Sequence, residues 1–211
     1  MRYPAVMNAS EVLDFWFGPE PIAPRREWFV KSAAFDDLIR QRFGALLETA
    51  LTDAIVWGDD SQSELTDTAG FAPSADSADL AQVIVLDQFP RNLFRGQARA
   101  FAGDTRACQL ALALIDSGKH LSLHPLQRWF AYMPLEHAED LALQDRCVAL
   151  FEILVQAGGT HAETLQGALD YAHKHREVIR QFGRFPHRNA ALGRTSTPAE
   201  VAYLALPGSG F

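Results

Sequence analysis

Two stretches of the sequence share a residue pattern suited to binding a charged ligand. LDQFPRNLFRG spans residues 86–96 and RFPHRNAALGR spans residues 184–194, and each contains an aromatic residue, a proline and an Arg-Asn pair. Arginine offers planar N–H donors that match a carboxylate or a phosphate in two parallel hydrogen bonds. We therefore expect both stretches to line one site.

The first stretch allows two interpretations. Asp87, Arg91 and Arg95 are four residues apart, so they share a face if the helix resumes after Pro90. Asp87 also continues an apolar stripe, where a carboxylate needs a partner. It either forms a buried ion pair that fixes how two helices meet, or holds an arginine whose free face meets a ligand.

The second stretch follows a predicted helix end, where Arg184 would interact favourably with the helix dipole without any ligand. His187 and Arg188 lie in a loop bounded by glycine and proline, which is more typical of binding. The asparagines could instead cap backbone groups. The candidate ligand-binding residues are Arg91, Asn92, Arg95, Arg184, His187, Arg188 and Asn189.

A third stretch, YMPLEHAED at 132–140, contains the candidate catalytic residues. His137 falls on the helical face of Leu141, Val148 and Phe151, as a core histidine would. With Glu139 or Asp87 it could instead form a general acid–base pair. The E-H-x-E spacing does not match the helical zinc or di-metal motifs, and no glycine-rich phosphate loop or nucleophile elbow occurs. We predict neither a metal nor another cofactor.

Composition is typical of one globular domain over residues 1–211. Of the 211 residues 48% are apolar, and no apolar run approaches the roughly 18–20 residues that a membrane span needs. The N-terminus does not resemble a secretory signal. The two cysteines, Cys108 and Cys147, are too few for a disulfide framework or a zinc site. These features predict a cytoplasmic protein with no membrane partner.

Charge is unevenly distributed along the chain. The net charge is −7, residues 43–90 contain no Lys or Arg, and residues 173–194 contain six basic residues and only one acid, Glu177. The overall acidity argues against a nucleic-acid partner. The basic stretch is either a solvated face or a site for an anionic ligand.

Hydrophobic periodicity predicts helices throughout and no strand. The first begins at Asn8 or Ser10 and stops at Gly18, and an amphipathic helix covers about 35–51. Later helices start at Ser77, Asp104, Leu126, Pro134, Thr160 and the capping box Thr197–Glu200, with Pro90 ending or kinking the Ser77 helix. Residues 58–76 form the longest predicted loop. Short connections between the others predict an all-α fold of antiparallel helix pairs.

Four motifs carry a resemblance to a known family. VLDFWFG (12–18), LDQFPRNLFRG followed by AFAGD (86–104), YMPLEHAED (132–140) and HREVIRQFGRFPHRNAALGRTST (175–197) resemble the bacterial family catalogued as domain of unknown function 924. The resemblance covers essentially the whole chain and implies an all-helical, tetratricopeptide-like array. It implies no established activity.

Our leading hypothesis is a helical binding module. Its concave face, lined by the arginines and His187, would hold an anionic small molecule or a peptide carboxylate. The alternative is a small enzyme using His137 with Glu139 or Asp87 in the same pocket. A third hypothesis, that residues 173–194 contact a nucleic acid, has less support because the protein is acidic overall. The sequence does not predict an oligomeric state.

Overall fold

The computed structural model describes residues 8–52, 55, 57 and 75–210. Over this part of the chain all regular structure is helical and no strand occurs, which confirms the all-α prediction. Residues 58–74 of the predicted long loop lie outside the described residues. None of the helices in the described segments is both long and apolar enough to cross a membrane.

The α-helices are labelled in chain order. They are α1 (Ala9–Phe17), α2 (Ala33–Thr52), α3 (Ala75–Val83), α4 (Phe89–Leu93), α5 (Asp104–Asp116), α6 (Pro125–Glu136), α7 (Leu141–Ala157), α8 (Ala162–Phe182) and α9 (Pro198–Leu204). A π-helical segment, Ile84–Gln88, joins α3 to α4. Short 3-10 helices occupy Arg26–Trp28, Ala98–Phe101, Lys119–Ser122, Gly159–His161 and Pro186–Arg188.

The helix pairs pack around one main hydrophobic core. α7 packs against α8 and α6, while α3 packs against α1 and α5. Because only residues 158–161 separate α7 from α8, their extensive packing requires an antiparallel arrangement. Aromatic residues fill the centre, and the fully buried ring of Phe130 meets Trp16 and Phe17 edge to face. The tetratricopeptide-like arrangement stays a prediction.

The end of α6 differs from the sequence prediction. Pro134 lies inside α6 and does not start the next helix. α7 instead begins after Asp140, whose carboxylate accepts a hydrogen bond from the Leu143 N–H. The buried Gln144 amide donates to the Glu136 and Ala138 carbonyls at 2.5 and 2.8 Å, so it satisfies carbonyls that the end of α6 leaves unpaired.

Pro90 does not end its helical segment either. The backbone widens into the π-helical segment before the proline, and Pro90 then occupies the first turn of α4, where its missing N–H costs no hydrogen bond. π-helical turns inside α-helices are rare and often occur at functional sites. Here the widened turn carries Asp87 into the interior.

The π-helical segment also brings its backbone against Gly103, the residue before α5. A Cβ atom at position 103 would lie 2.1 Å from the Leu86 carbonyl oxygen. This distance is far inside van der Waals contact, so only glycine lets α5 start so close to Asp87.

We predict that Gly103→Ala destabilises the protein by about 3 kcal/mol, since the backbone must move to relieve the overlap. Gly167→Ala in α8 is the matched control, because a Cβ there meets nothing within 4 Å. That change should stabilise the protein by up to about 1 kcal/mol through helix propensity. Urea unfolding of both variants measures the difference, and equal stability would contradict the steric argument.

Candidate functional site

Asp87 is fully buried at the centre of the candidate site. Its carboxylate lies 2.7 Å from the Gln88 amide nitrogen, 2.7 Å from His137 Nδ1 and 3.2 Å from Arg91 Nη1. Burial alone would raise the pKa of Asp87, but Arg91, His137 and the hydrogen bonds outweigh it and hold the pKa below its ordinary value. Asp87 is therefore an ionised, paired carboxylate.

Arg91 connects Asp87 to the start of α5. Its guanidinium donates to both carboxylate oxygens of Asp104 at 2.8 and 3.0 Å. Asp104 also receives a hydrogen bond from Arg188 Nη1 at 3.2 Å. As the first residue of α5, Asp104 lies where the helix dipole favours an anion. One carboxylate thus joins the two arginine-rich stretches.

Two histidine–carboxylate pairs lie side by side next to this network. His137 bonds to Asp87, and His175 Nδ1 lies 2.9 Å from Glu136 Oε1 and 2.9 Å from the Tyr171 carbonyl. The His137 and His175 rings are 6.2 Å apart between centroids. Burial and Arg91 lower the pKa of His137, although Asp87 opposes them, so the ring is neutral at pH 7.

Arg188 is held between two aromatic rings. Its guanidinium carbon lies 4.8 Å from the Phe101 ring centroid and 4.4 Å from that of Phe185. Arg188 is only 6% exposed, and its buried Nε has no hydrogen-bond partner among the described residues. Burial and the neighbouring Arg91 lower the pKa of Arg188 to about 10. An unpaired, buried charged donor is unusual in a native protein.

His187 completes the group. Burial, together with Arg188, His175, Arg91 and His137, lowers its pKa to about 4. The His187 ring centroid lies 5.6 Å from that of Phe185, the ring over which the Arg188 guanidinium lies. We name the whole set the Arg–His cluster, and it comprises Asp87, Arg91, Asp104, Glu136, His137, His175, His187 and Arg188.

The other candidate binding residues lie in separate contacts. Arg95 forms a bidentate ion pair with Asp36 on α2, at 2.8 and 3.0 Å, and the Asn92 amide also donates to Asp36 at 2.8 Å. Arg184 pairs with Glu200 of the α9 capping box at 2.6 and 2.8 Å. These contacts tie the two stretches to α2 and α9.

Glu139 and Asn189 contact the same loop as Arg188 without joining the cluster. Glu139 accepts two hydrogen bonds from Arg194 and one from the Phe185 N–H at 2.8 Å. The Asn189 side chain bridges Arg194 and Ser196 at 3.0 Å each. The carboxylate that bonds to His137 is thus Asp87, and Glu139 anchors the loop that presents Arg188.

Sequence reasoning did not select three members of the cluster. Asp104 was predicted only as a helix cap, and Glu136 and His175 were not among the candidate site residues. AFAGD, which ends in Asp104, belongs to one of the motifs that resemble the family. This is the signal that could have indicated Asp104 as a site residue. Spacing could not identify these residues, since Asp104 and Arg188 are 84 positions apart.

Two surface depressions were found, and neither contains a cluster residue. One, of about 500 Å³, lies beside α1 and Arg25, and the other, of about 350 Å³, lies between α8 and Tyr203. The cluster reaches the surface only through its partly buried members, such as Asp104 and His187. The described residues contain no group of His, Cys, Asp and Glu arranged for a metal ion.

Fold and site together define an all-helical domain built around a buried arginine–histidine–carboxylate cluster. The sequence model of the family described as bacterial protein of unknown function (DUF924) matches residues 12–208. The chain therefore belongs to this family. A solved structure of a protein of unknown function from Agrobacterium tumefaciens is similar, with 36% identity and a TM-score of 0.70. The alignment covers 93% of this chain and 96% of that one. None of the curated proteins compared with the chain matches it.

The ion pairs of Asp104 lead to a prediction about stability. Asp104→Asn removes the charge that pairs with both Arg91 and Arg188, and should cost about 3 kcal/mol because the two arginines stay partly or wholly buried. Asp145→Asn is the control, since Asp145 pairs with Arg176 at the surface and should cost less than about 1 kcal/mol. Chemical denaturation measures both, and equal costs would contradict the role given to Asp104.

Proposed function

We propose that the protein binds a small anionic molecule at the Arg–His cluster through Arg188. The unpaired Nε of Arg188 is the observation that carries this proposal. Burying a charged donor without an acceptor costs free energy, and a ligand oxygen at this position recovers it. The two flanking rings hold the guanidinium plane in place, so little side-chain entropy is lost on binding.

Charge balance defines the kind of anion. Asp87, Asp104 and Glu136 are three acidic residues against the two basic residues Arg91 and Arg188, so the cluster offers hydrogen-bond donors but no net positive charge. Such a site favours a compact anion over a polyanion, which also argues against nucleic acid. The burial of the cluster favours a small molecule over a peptide carboxylate.

A ligand titration tests the proposal. Phosphate-bearing and small carboxylate-bearing compounds are added at constant ionic strength, and the shift in melting temperature is recorded. At least one compound should raise the melting temperature, and Arg188→Gln should reduce its affinity at least about tenfold, because a charge-assisted hydrogen bond is lost.

Arg180→Gln is the matched control for the titration. Arg180 pairs with Glu177 on the exposed face of α8, so this variant should bind like the unaltered protein. The proposal is wrong if no compound stabilises the protein and Arg188→Gln behaves like Arg180→Gln.

The His137–Asp87 pair supports a second proposal, that the protein is a small enzyme. A carboxylate 2.7 Å from Nδ1 orients a neutral imidazole as a general base, as in hydrolases that activate a nucleophile. The ring is 8% exposed, so a reacting group would have to enter from the edge of the cluster.

The second proposal predicts turnover of a simple ester. Hydrolysis of p-nitrophenyl acetate or p-nitrophenyl phosphate should depend on one basic group, and His137→Gln should lower kcat at least about a hundredfold. Equal rates for the unaltered protein and His137→Gln would contradict the enzyme proposal and leave the binding proposal.

A further inference from the structure

The Asp87–His137 hydrogen bond determines which nitrogen of His137 carries the proton. Asp87 is ionised and acts as an acceptor, so a neutral His137 must donate from Nδ1 across their 2.7 Å contact. Nε2 is then unprotonated and is an acceptor. Nε2 has no hydrogen-bond partner among the described residues.

The cluster therefore contains two unused groups of opposite type. Arg188 Nε is a buried donor without an acceptor, and His137 Nε2 is an acceptor without a donor on a ring that is 8% exposed. The His175 ring lies 6.2 Å from the His137 ring and 5.5 Å from the Phe185 ring, and the Arg188 guanidinium carbon lies 4.4 Å from the Phe185 ring, so the two groups border one region. A ligand that satisfies both must accept at one atom and donate at another.

We propose that the cluster selects an oxyanion that carries its own proton, and that hydrogen phosphate is the ion of this kind it binds. One phosphate oxygen accepts from Arg188 Nε, and the P–OH group donates to His137 Nε2. His137 is then a specificity-determining residue. This inference rests on the proposed function and adds the class of ligand.

Sulfate is the natural comparison, because it has the same charge, size and tetrahedral shape as hydrogen phosphate but no proton near neutral pH. A sulfate oxygen facing His137 Nε2 would set one lone pair against another beside a largely buried ring. Protonating His137 would relieve the conflict, but the buried ring beside Arg91 resists it. One unsatisfied contact of this kind corresponds to about tenfold or more in affinity.

The test titrates the protein with sodium phosphate, sodium sulfate and methyl phosphate at about pH 8 and matched ionic strength. Methyl phosphate is included because its second pKa near 6 leaves it without a proton. Phosphate should bind at least about tenfold more tightly than either comparison ion. Equal affinities would overturn this inference and leave the proposed function standing. Binding of none of the three would overturn this inference as well, and the proposed function would then be decided by the carboxylate-bearing compounds of the earlier titration.

His137→Gln replaces the fixed Nε2 acceptor with a side-chain amide that can turn its N–H toward the ligand. Its phosphate and sulfate affinities should converge to within about threefold, because the amide N–H now suits either ion. Persistent selectivity in a folded variant would overturn the role of His137.

Nitrogen-15 NMR of the unaltered protein gives a readout that does not depend on any variant. The His137 ring should show a protonated Nδ1 and an unprotonated Nε2 near neutral pH. The opposite tautomer would overturn the inference, since Nε2 would then donate and sulfate would fit as well as phosphate.

Discussion

The burial of Asp87 is the constraint on which the rest of the site depends. A fully buried carboxylate must be paired, and Arg91, His137 and Gln88 supply the partners. Arg91 then needs a second anion, Asp104 provides it, and Asp104 in turn engages Arg188. Each contact therefore requires the next, and the sequence of contacts links α4, α5, α6 and the loop after α8. Arg188 Nε and His137 Nε2 have no hydrogen-bond partner among the described residues, and a ligand site can be argued from them.

The surrounding ion pairs have a different role. Arg95 with Asp36, Arg184 with Glu200, and Arg194 with Glu139 are more exposed and anchor the two arginine-rich stretches to neighbouring elements. Partly exposed pairs stabilise weakly one by one, but these are bidentate, so they also orient the backbone. The loop that presents Arg188 is held at both Phe185 and Arg194 by the single carboxylate of Glu139. The two arginine-rich stretches thus contain both candidate ligand-binding residues and residues that anchor the stretches to neighbouring elements.

Close packing of the backbone determines where Asp87 and Arg91 meet Asp104. The π-helical turn shifts Asp87 inward, and Gly103 lets α5 approach the Leu86 carbonyl so that Asp104 can reach Arg91. Stacked helix pairs alone would not bring these charges together. The local departure from regular helix is consistent with a functional site, where irregular turns are common.

The sequence by itself determined the all-α class and the capping box at Thr197, because helical period, capping residues and turn residues act over a few positions. Asp87, Arg91, His137, His187 and Arg188 were all selected as site residues, and the structure brings them together. Only the tertiary structure decided that Asp104, Glu136 and His175 join them and that Arg95 and Arg184 bind elsewhere. It also showed that Pro134 lies within α6 and that Pro90 lies in the first turn of α4. Partners far apart in the chain are selected by burial and packing, and no local pattern records them.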